Sequence, residues 1–115
     1  METEAMKEQH QMVLAIADEM ARMEQNLRSM PEATNGRKQL LRSLQRMRTH
    51  LMTAGYEVVE MLGQPYNDGM KVVASFKFDE TLPEGQQMVT SVTRPQVNYK
   101  GEMIQVAEIT VSQNI

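Results

Sequence analysis

The sequence predicts an α+β fold in which an N-terminal helical hairpin precedes a small antiparallel β domain. Apolar residues in the first half recur at alternating spacings of three and four, the period of a helix that packs on another helix. After Gly55 the pattern changes to alternation of apolar and polar residues, which is typical of half-buried strands. We therefore divide the chain into residues 1–54, a helical hairpin, and residues 55–115, a small β domain.

The first predicted helix carries two interleaved rows of mostly apolar residues. One row is Met6, Val13, Met20 and Leu27, and the other is Gln9, Ile16, Met23 and Met30. After a breaker at residues 31–36, a second helix repeats the spacing with Leu40, Leu44, Met47, Leu51 and Ala54. Two such helices joined by a short loop predict a helical hairpin.

A lone hairpin buries only one face of each helix, and helices of about 20 residues are marginal without tertiary packing. Closed two-fold dimers are the commonest oligomers, so we expect a homodimer whose two hairpins form a four-helix bundle. The alternative is that the apolar faces of both helices pack on the chain's own β half. The residues expected at the dimer interface are Val13, Ile16, Met20, Met23, Leu27, Leu44, Met47 and Leu51.

The β half begins at Gly55. This glycine directly follows Ala54, the last apolar residue of the second helix, at the position where glycine commonly ends a helix. Residues 56–62 fit either a first strand or a short helical continuation. Residues 71–78 alternate as a half-buried strand with Val72, Ala74, Phe76 and Phe78 on one face.

The next predicted strand, residues 87–93, places Met88, Thr90 and Val92 on one face. Pro95 ends this strand or puts it at an edge, because proline has no N–H for a central strand. A turn at residues 98–101 leads into a last strand at 103–112, and the β half becomes one compact antiparallel sheet.

Composition narrows the classes of function. The chain has no cysteine, which rules out disulfides, thiol catalysis and cysteine-ligated metals. No apolar run approaches the roughly 20 residues of a membrane span, and the amino terminus lacks the basic and apolar regions of a signal peptide. We expect a cytoplasmic protein that does not bind membranes.

Charge is uneven although the net value is only −3. The second helix has a basic ridge without acids, and the β half has an excess of acids that suits a partner with a basic surface. Because no aromatic base reader accompanies the ridge, we expect a solvated face and no nucleic-acid binding. The ridge consists of Arg37, Lys38, Arg42, Arg46 and Arg48.

Residues that carry chemistry are scarce. His10 and His50 lie on different helices without a histidine or acidic partner four residues on, so we expect solvated side chains and no metal site. The sequence has no glycine-rich phosphate loop and no nucleophile elbow. Asp79 and Glu80 are most simply read as a polar turn. We expect neither an enzyme nor a cofactor.

Several segments resemble the GrpE family, the nucleotide exchange factors of DnaK-type chaperones. Residues 13–22 are similar to the family's leucine-proline-valine-x-aspartate-asparagine-leucine-x-arginine stretch and keep its acid and its base as Asp18 and Arg22. Residues 36–55 are similar to its short second bundle helix. Residues 63–67, Gly-Gln-Pro-Tyr-Asn, are similar to its glycine-x-proline-phenylalanine-aspartate turn, and residues 100–111 resemble its last hairpin. The likeness covers roughly residues 10 to 113.

The resemblance is to a short form, because the long paired helix that precedes the bundle in typical members is missing. It implies a co-chaperone that binds the chaperone's ATPase domain with its nucleotide cleft open and so promotes ADP release. By the same resemblance, the partner contacts are expected at Pro65, Tyr66, Ile104 and Gln105. The alternative is a dimeric scaffold or adaptor of the same fold without exchange activity, which Gln105, in place of the family's usual arginine, favours.

Overall fold

Two helices form the first half of the chain in the computed structural model, which describes residues 2–115. Helix α1 spans Glu4–Ser29 and helix α2 spans Arg37–Thr53. Thr3 caps α1 by accepting a hydrogen bond from the Met6 N–H at 3.1 Å. Glu4 in the first turn and Arg28 in the last turn have the charges that the helix dipole favours. The predicted pair of N-terminal helices is confirmed.

Gly55 turns the chain from α2 into the β half. Its φ of 96° lies in the left-handed region, and a Cβ there would lie 3.2 Å from Cε1 of Tyr99. Its N–H donates to the Met52 carbonyl at 2.9 Å, so it closes the helix as the sequence predicts.

Six strands follow and form two separate three-stranded sheets. They are β1 (Tyr56–Val58), β2 (Val72–Phe78), β3 (Gln87–Arg94), β4 (Val97–Tyr99), β5 (Glu102–Gln105) and β6 (Ala107–Gln113). The first sheet has the order β1-β4-β5 and is antiparallel. The second has the order β2-β6-β3, in which β6 pairs in parallel with β2 and antiparallel with β3. Residues 56–58 are thus a strand and not a continuation of the helix.

The predicted single antiparallel sheet is therefore wrong, although the α+β class is confirmed. Parallel pairing of β2 with β6 requires a long crossover, which the intervening strands β3, β4 and β5 provide. The predicted last strand is also divided at Val106, so that β5 belongs to the first sheet and β6 to the second. Alternation in a sequence shows which faces are apolar, but it does not identify the neighbouring strand.

Strand β3 departs from the predicted facing. Its pairing with β6 shifts register between Val89 and Ser91 and again between Val92 and Arg94. These irregularities bury both Val89 and Val92 and leave Thr90 exposed. The prediction that Thr90 shares a face with Val92 is wrong, because a bulge changes the phase of the alternation. The strand ends at Arg94, directly before Pro95, as predicted.

The helices and sheets share their cores. Val13 and Ala17 of α1 pack against Tyr56, Val58 and Val97 of the first sheet. A second cluster joins the two helices through Met20, Leu27 and Leu44. The third lies on the second sheet and contains Met61, Val89, Val92, Ala107, Ile109 and Val111. Of the two rows predicted for α1, the one that contains Val13, Met20 and Leu27 is thus covered by the chain itself.

Candidate functional site

Helix α1 buries a different pair of rows from the pair that the sequence suggested. Its buried positions include Val13, Met20 and Leu27, as in the first predicted row, but the second buried row is His10, Ala17 and Glu24. Ile16, Met23 and Met30 of the other predicted row are exposed. Apolar side chains therefore occupy two sides of the helix, and only one side is covered within the chain.

The uncovered side forms a surface that we call the apolar strip. On α1 it continues beyond Ile16 to Met12, and α2 adds Leu40 and Met47. Between the two helices it contains a groove of about 240 Å³, and Leu27 and Leu44 form its floor. The strip consists of Met12, Ile16, Met23, Met30, Leu40 and Met47. A continuous exposed apolar surface of this kind is typical of a site that binds another protein, a membrane or a ligand.

The residues expected at a dimer interface divide between this strip and the core. Ile16, Met23 and Met47 belong to the strip. Four others are buried within one chain, and Leu51 is half-buried. The four buried residues are Val13, Met20, Leu27 and Leu44.

Pro65 and Tyr66 lie at the outer edge of β3. The Tyr66 N–H donates to the Gln87 carbonyl at 3.1 Å, and Pro65 forms a β-bridge with Met88. Pro65 is exposed, and the half-buried Tyr66 ring packs edge-on against Phe76, with centroids 5.5 Å apart. Both residues are therefore held on a rigid sheet with part of their surface open.

Ile104 and Gln105 lie in β5 of the other sheet. Ile104 packs on the cluster formed by α1 and the first sheet. The Gln105 side-chain amide donates to Asp18 Oδ1 at 3.0 Å and to the Pro95 carbonyl at 2.9 Å. Gln105 thus joins α1 to the segment between β3 and β4. The structure gives no contact between these two residues and Pro65 or Tyr66, so the four expected residues form two separate pairs.

An ion-pair network joins α1, α2 and the segment after β1. Arg48 Nη2 lies 2.8 Å from Glu24 Oε1, and Arg48 Nη1 lies 3.1 Å from Glu60 Oε1. Arg28 Nε contacts the other oxygen of Glu24 at 3.2 Å. The side chains of Glu24 and Arg48 are each only 10% exposed. The prediction that the whole basic ridge is solvated is therefore wrong at Arg48, although Lys38, Arg42 and Arg46 are exposed.

His10 is also buried, contrary to the predicted solvated side chain, and it is 7% exposed. Its Nδ1 forms a hydrogen bond with the Tyr56 hydroxyl at 2.5 Å, and its ring packs against Tyr56 and Tyr99. Its Nε2 lies 3.1 Å from Glu2 Oε1 but forms no hydrogen bond within residues 2–115. No local pattern marks His10 and Glu24 as buried, because their partners Tyr56 and Arg48 lie far away in the sequence.

Phe76 and Phe78 form a further exposed apolar surface, which the sequence did not indicate as a binding site. The alternation places them on the core face of β2, but they are 51% and 63% exposed. Val72 and Ala74, nearer the start of the strand, pack against the core of the second sheet, whereas Phe76 and Phe78 do not belong to that cluster. The far end of β2 is therefore an apolar surface beside Tyr66.

Within residues 2–115, no helix has the length and apolar character needed to cross a membrane. The sequence matches no protein-family model. A comparison with curated proteins also gives no match.

Proposed function

We propose that this protein is a GrpE-like co-chaperone that acts as a homodimer in the cytoplasm and promotes ADP release from a DnaK-type chaperone. The observation that supports it most is the arrangement of a helical hairpin with an uncovered apolar strip before a small β half that holds Pro65 and Tyr66 at a partly open edge. The resemblance of residues 63–67 and 100–111 to the family lies in the same β half.

Such a protein works by linkage and not by bond chemistry. It binds the chaperone's ATPase domain better when the nucleotide cleft is open, and binding energy is thereby coupled to opening. The coupling is reciprocal. The factor by which bound nucleotide weakens the binding of this protein is also the factor by which bound protein weakens the binding of nucleotide. Pro65 and Tyr66 contribute a rigid contact surface, since their backbone is fixed on β3 before any partner arrives.

The apolar strip supports the dimer part of the proposal. Two hairpins related by a two-fold axis bury Ile16, Met23 and Met47 against their equivalents and complete a four-helix bundle. Val13, Met20, Leu27 and Leu44 remain in the core of each chain, where they support the strip from beneath. Removal of the apolar strip from water is the main favourable contribution to the free energy of dimerisation.

A dimeric scaffold without exchange activity is the second candidate, and the position of Gln105 favours it. Its amide is already used by Asp18 and Pro95 inside the chain. A partner that needs this amide has to break two hydrogen bonds first, each with a net value of about 1 kcal/mol.

The release rate of a fluorescent ADP analogue from the DnaK-type chaperone of the same organism separates the two candidates. Stopped-flow measurements with increasing amounts of the protein should show acceleration that saturates. Tyr66→Ala should reduce the acceleration, whereas Thr93→Ala, an exposed change on β3, should not. Absence of acceleration, with a chaperone that responds to a genuine exchange factor, would remove the exchange proposal and leave the scaffold.

A further inference from the structure

The two outer edges of the second sheet differ in how they are covered. At the β3 edge, the Val89 N–H donates to the Gln64 carbonyl at 2.9 Å and the Tyr66 N–H donates to Gln87. The Gln25 side chain bonds both the N–H and the carbonyl of Val92 further along this edge. At the other edge, β2 is the last strand, and within residues 2–115 no neighbour pairs with its outer side.

The backbone groups that β2 presents at its open edge follow from its pairing with β6. The Asp79 N–H, just beyond the strand, donates to the Gln113 carbonyl at 2.8 Å, and the parallel register runs from Val72 to Phe78 without a shift. In a parallel pair, alternate residues direct both their N–H and C=O toward the neighbouring strand. Val73, Ser75 and Lys77 therefore face β6. The groups left open belong to Val72, Ala74, Phe76 and Phe78.

This edge has few of the features that prevent pairing with other chains. Natural edge strands are usually short, interrupted by proline or a bulge, or charged. Strand β2 has seven residues, no proline and no register shift, and Lys77 is its only charge. Exposed Phe76 and Phe78 lie on the face where Phe76 meets the Tyr66 ring. The open hydrogen-bonding groups thus lie beside an apolar surface.

We infer that the open edge of β2 binds an extended segment of a partner protein by strand addition. Main-chain hydrogen bonds to Ala74 and Phe76 supply the register, and alternate apolar side chains of the segment pack beside Phe76 and Phe78. Lys77 lies on the opposite face of β2 and near Asp79, and Lys71 directly precedes the strand. Neither lysine forms a close ion pair within residues 2–115, so the intervening positions of the segment carry carboxylates. This inference does not depend on exchange activity.

Fluorescence anisotropy with a labelled synthetic peptide tests the inference. In the probe, valine alternates with aspartate; in the control peptide of the same composition, the valines are contiguous. The alternating peptide should bind saturably and the control should bind at least about tenfold more weakly. Equal binding of both peptides, or no binding of the alternating peptide up to about 1 mM, would overturn the inference.

Two variants connect binding to the edge. Ala74→Pro removes an outward N–H and keeps the hydrogen bonds with β6, since proline is tolerated where the N–H faces outward. It should weaken peptide binding about tenfold. Lys77→Glu should reverse the preference, so that a peptide with lysine in place of aspartate binds better, and this result cannot arise from unfolding. Unchanged binding by Ala74→Pro with an intact circular dichroism spectrum, or no reversal in Lys77→Glu, contradicts the inference.

A second copy of β2 is the competing occupant. Self-association that Ala74→Pro abolishes in sedimentation, together with no peptide binding by the wild-type protein, would assign the edge to a second copy and overturn the inference.

Discussion

The side-chain amide of Gln25 takes the place of a strand partner for Val92. Gln25 Nε2 donates to the Val92 carbonyl at 2.7 Å, and Gln25 Oε1 accepts from the Val92 N–H at 2.8 Å. The pair lies where the register of β3 shifts. A helix side chain thereby completes the hydrogen bonding of an irregular strand and fixes α1 against the second sheet.

Gln25→Ala should lower the free energy of unfolding by about 1 to 3 kcal/mol, because Val92 loses a donor and an acceptor at a partly buried position. Urea unfolding followed by circular dichroism measures the change. Gln25→Glu should not restore full stability, since its carboxylate can accept from the Val92 N–H but cannot donate to the Val92 carbonyl. Gln45→Ala, at an exposed position of α2, should change stability by less than about 0.5 kcal/mol. A similar loss in both alanine variants would contradict the role given to Gln25.

Arg48→Met should be destabilising, by up to about 3 to 5 kcal/mol, because the buried Glu24 keeps only the half-exposed Arg28 as a partner. Combining it with Glu24→Leu should restore much of the stability, since the buried charge is then gone as well. Thermal unfolding of both single variants and the double variant measures the coupling.

A surface pair supplies the control for that cycle. Arg22 and Glu19 are 2.7 Å apart, but their side chains are 66% and 62% exposed. Arg22→Met should therefore cost no more than about 1 kcal/mol. Additive effects in the Arg48 and Glu24 cycle would show that the buried pair is not coupled as described.

Glutamate within the apolar strip should separate the proposed dimer. Met23→Glu and Met47→Glu each place two carboxylates in a two-fold interface, where their burial is costly. We expect the dissociation constant to rise at least about 100-fold, measured by sedimentation equilibrium. Met52→Glu is the matched control, since Met52 is an exposed methionine of α2 outside the strip. A wild-type protein that sediments as a monomer throughout would exclude the dimer.

Thr81 should control the titration of Asp79. Its hydroxyl donates to Asp79 Oδ1 at 2.6 Å and its N–H donates to the same oxygen at 2.9 Å. These bonds, with a smaller effect of Lys77, hold the pKa of Asp79 below its ordinary value of 3.8. The contribution of Asp79 to stability is therefore present above pH 3.8 and is lost as the pH falls through the lowered pKa.

Thr81→Val should move the pKa of Asp79 upward toward 3.8, which a carboxyl carbon titration by NMR measures directly. Thr93→Val, on the exposed side of β3, should leave the Asp79 titration as it is. An unchanged Asp79 pKa in Thr81→Val would show that the hydroxyl bond does not form in solution.

The sequence correctly predicted the features of the fold that depend on the backbone conformation of one short segment. The helix breaker at residues 31–36, Gly55 and Pro95 each acts through the conformation of its own backbone, so each could be read from the sequence. The β3 bulge could not, because it appears only when Val89 and Val92 are both required to face one core. Pro65 and Tyr66 were expected from resemblance, whereas the open edge beside Phe76 and Phe78 needed the strand order.

The sequence by itself determined two helices followed by strands, since periodicity and breakers set secondary structure through short-range sterics and hydrogen bonding. Only the tertiary structure decided which rows of α1 are buried. Ile16, Met23 and Met30 are more apolar than His10, Ala17 and Glu24, yet the latter row is buried because Tyr56 and Arg48 pair with His10 and Glu24. Partners distant in the chain can make burial of a polar group favourable, and no local pattern contains that information.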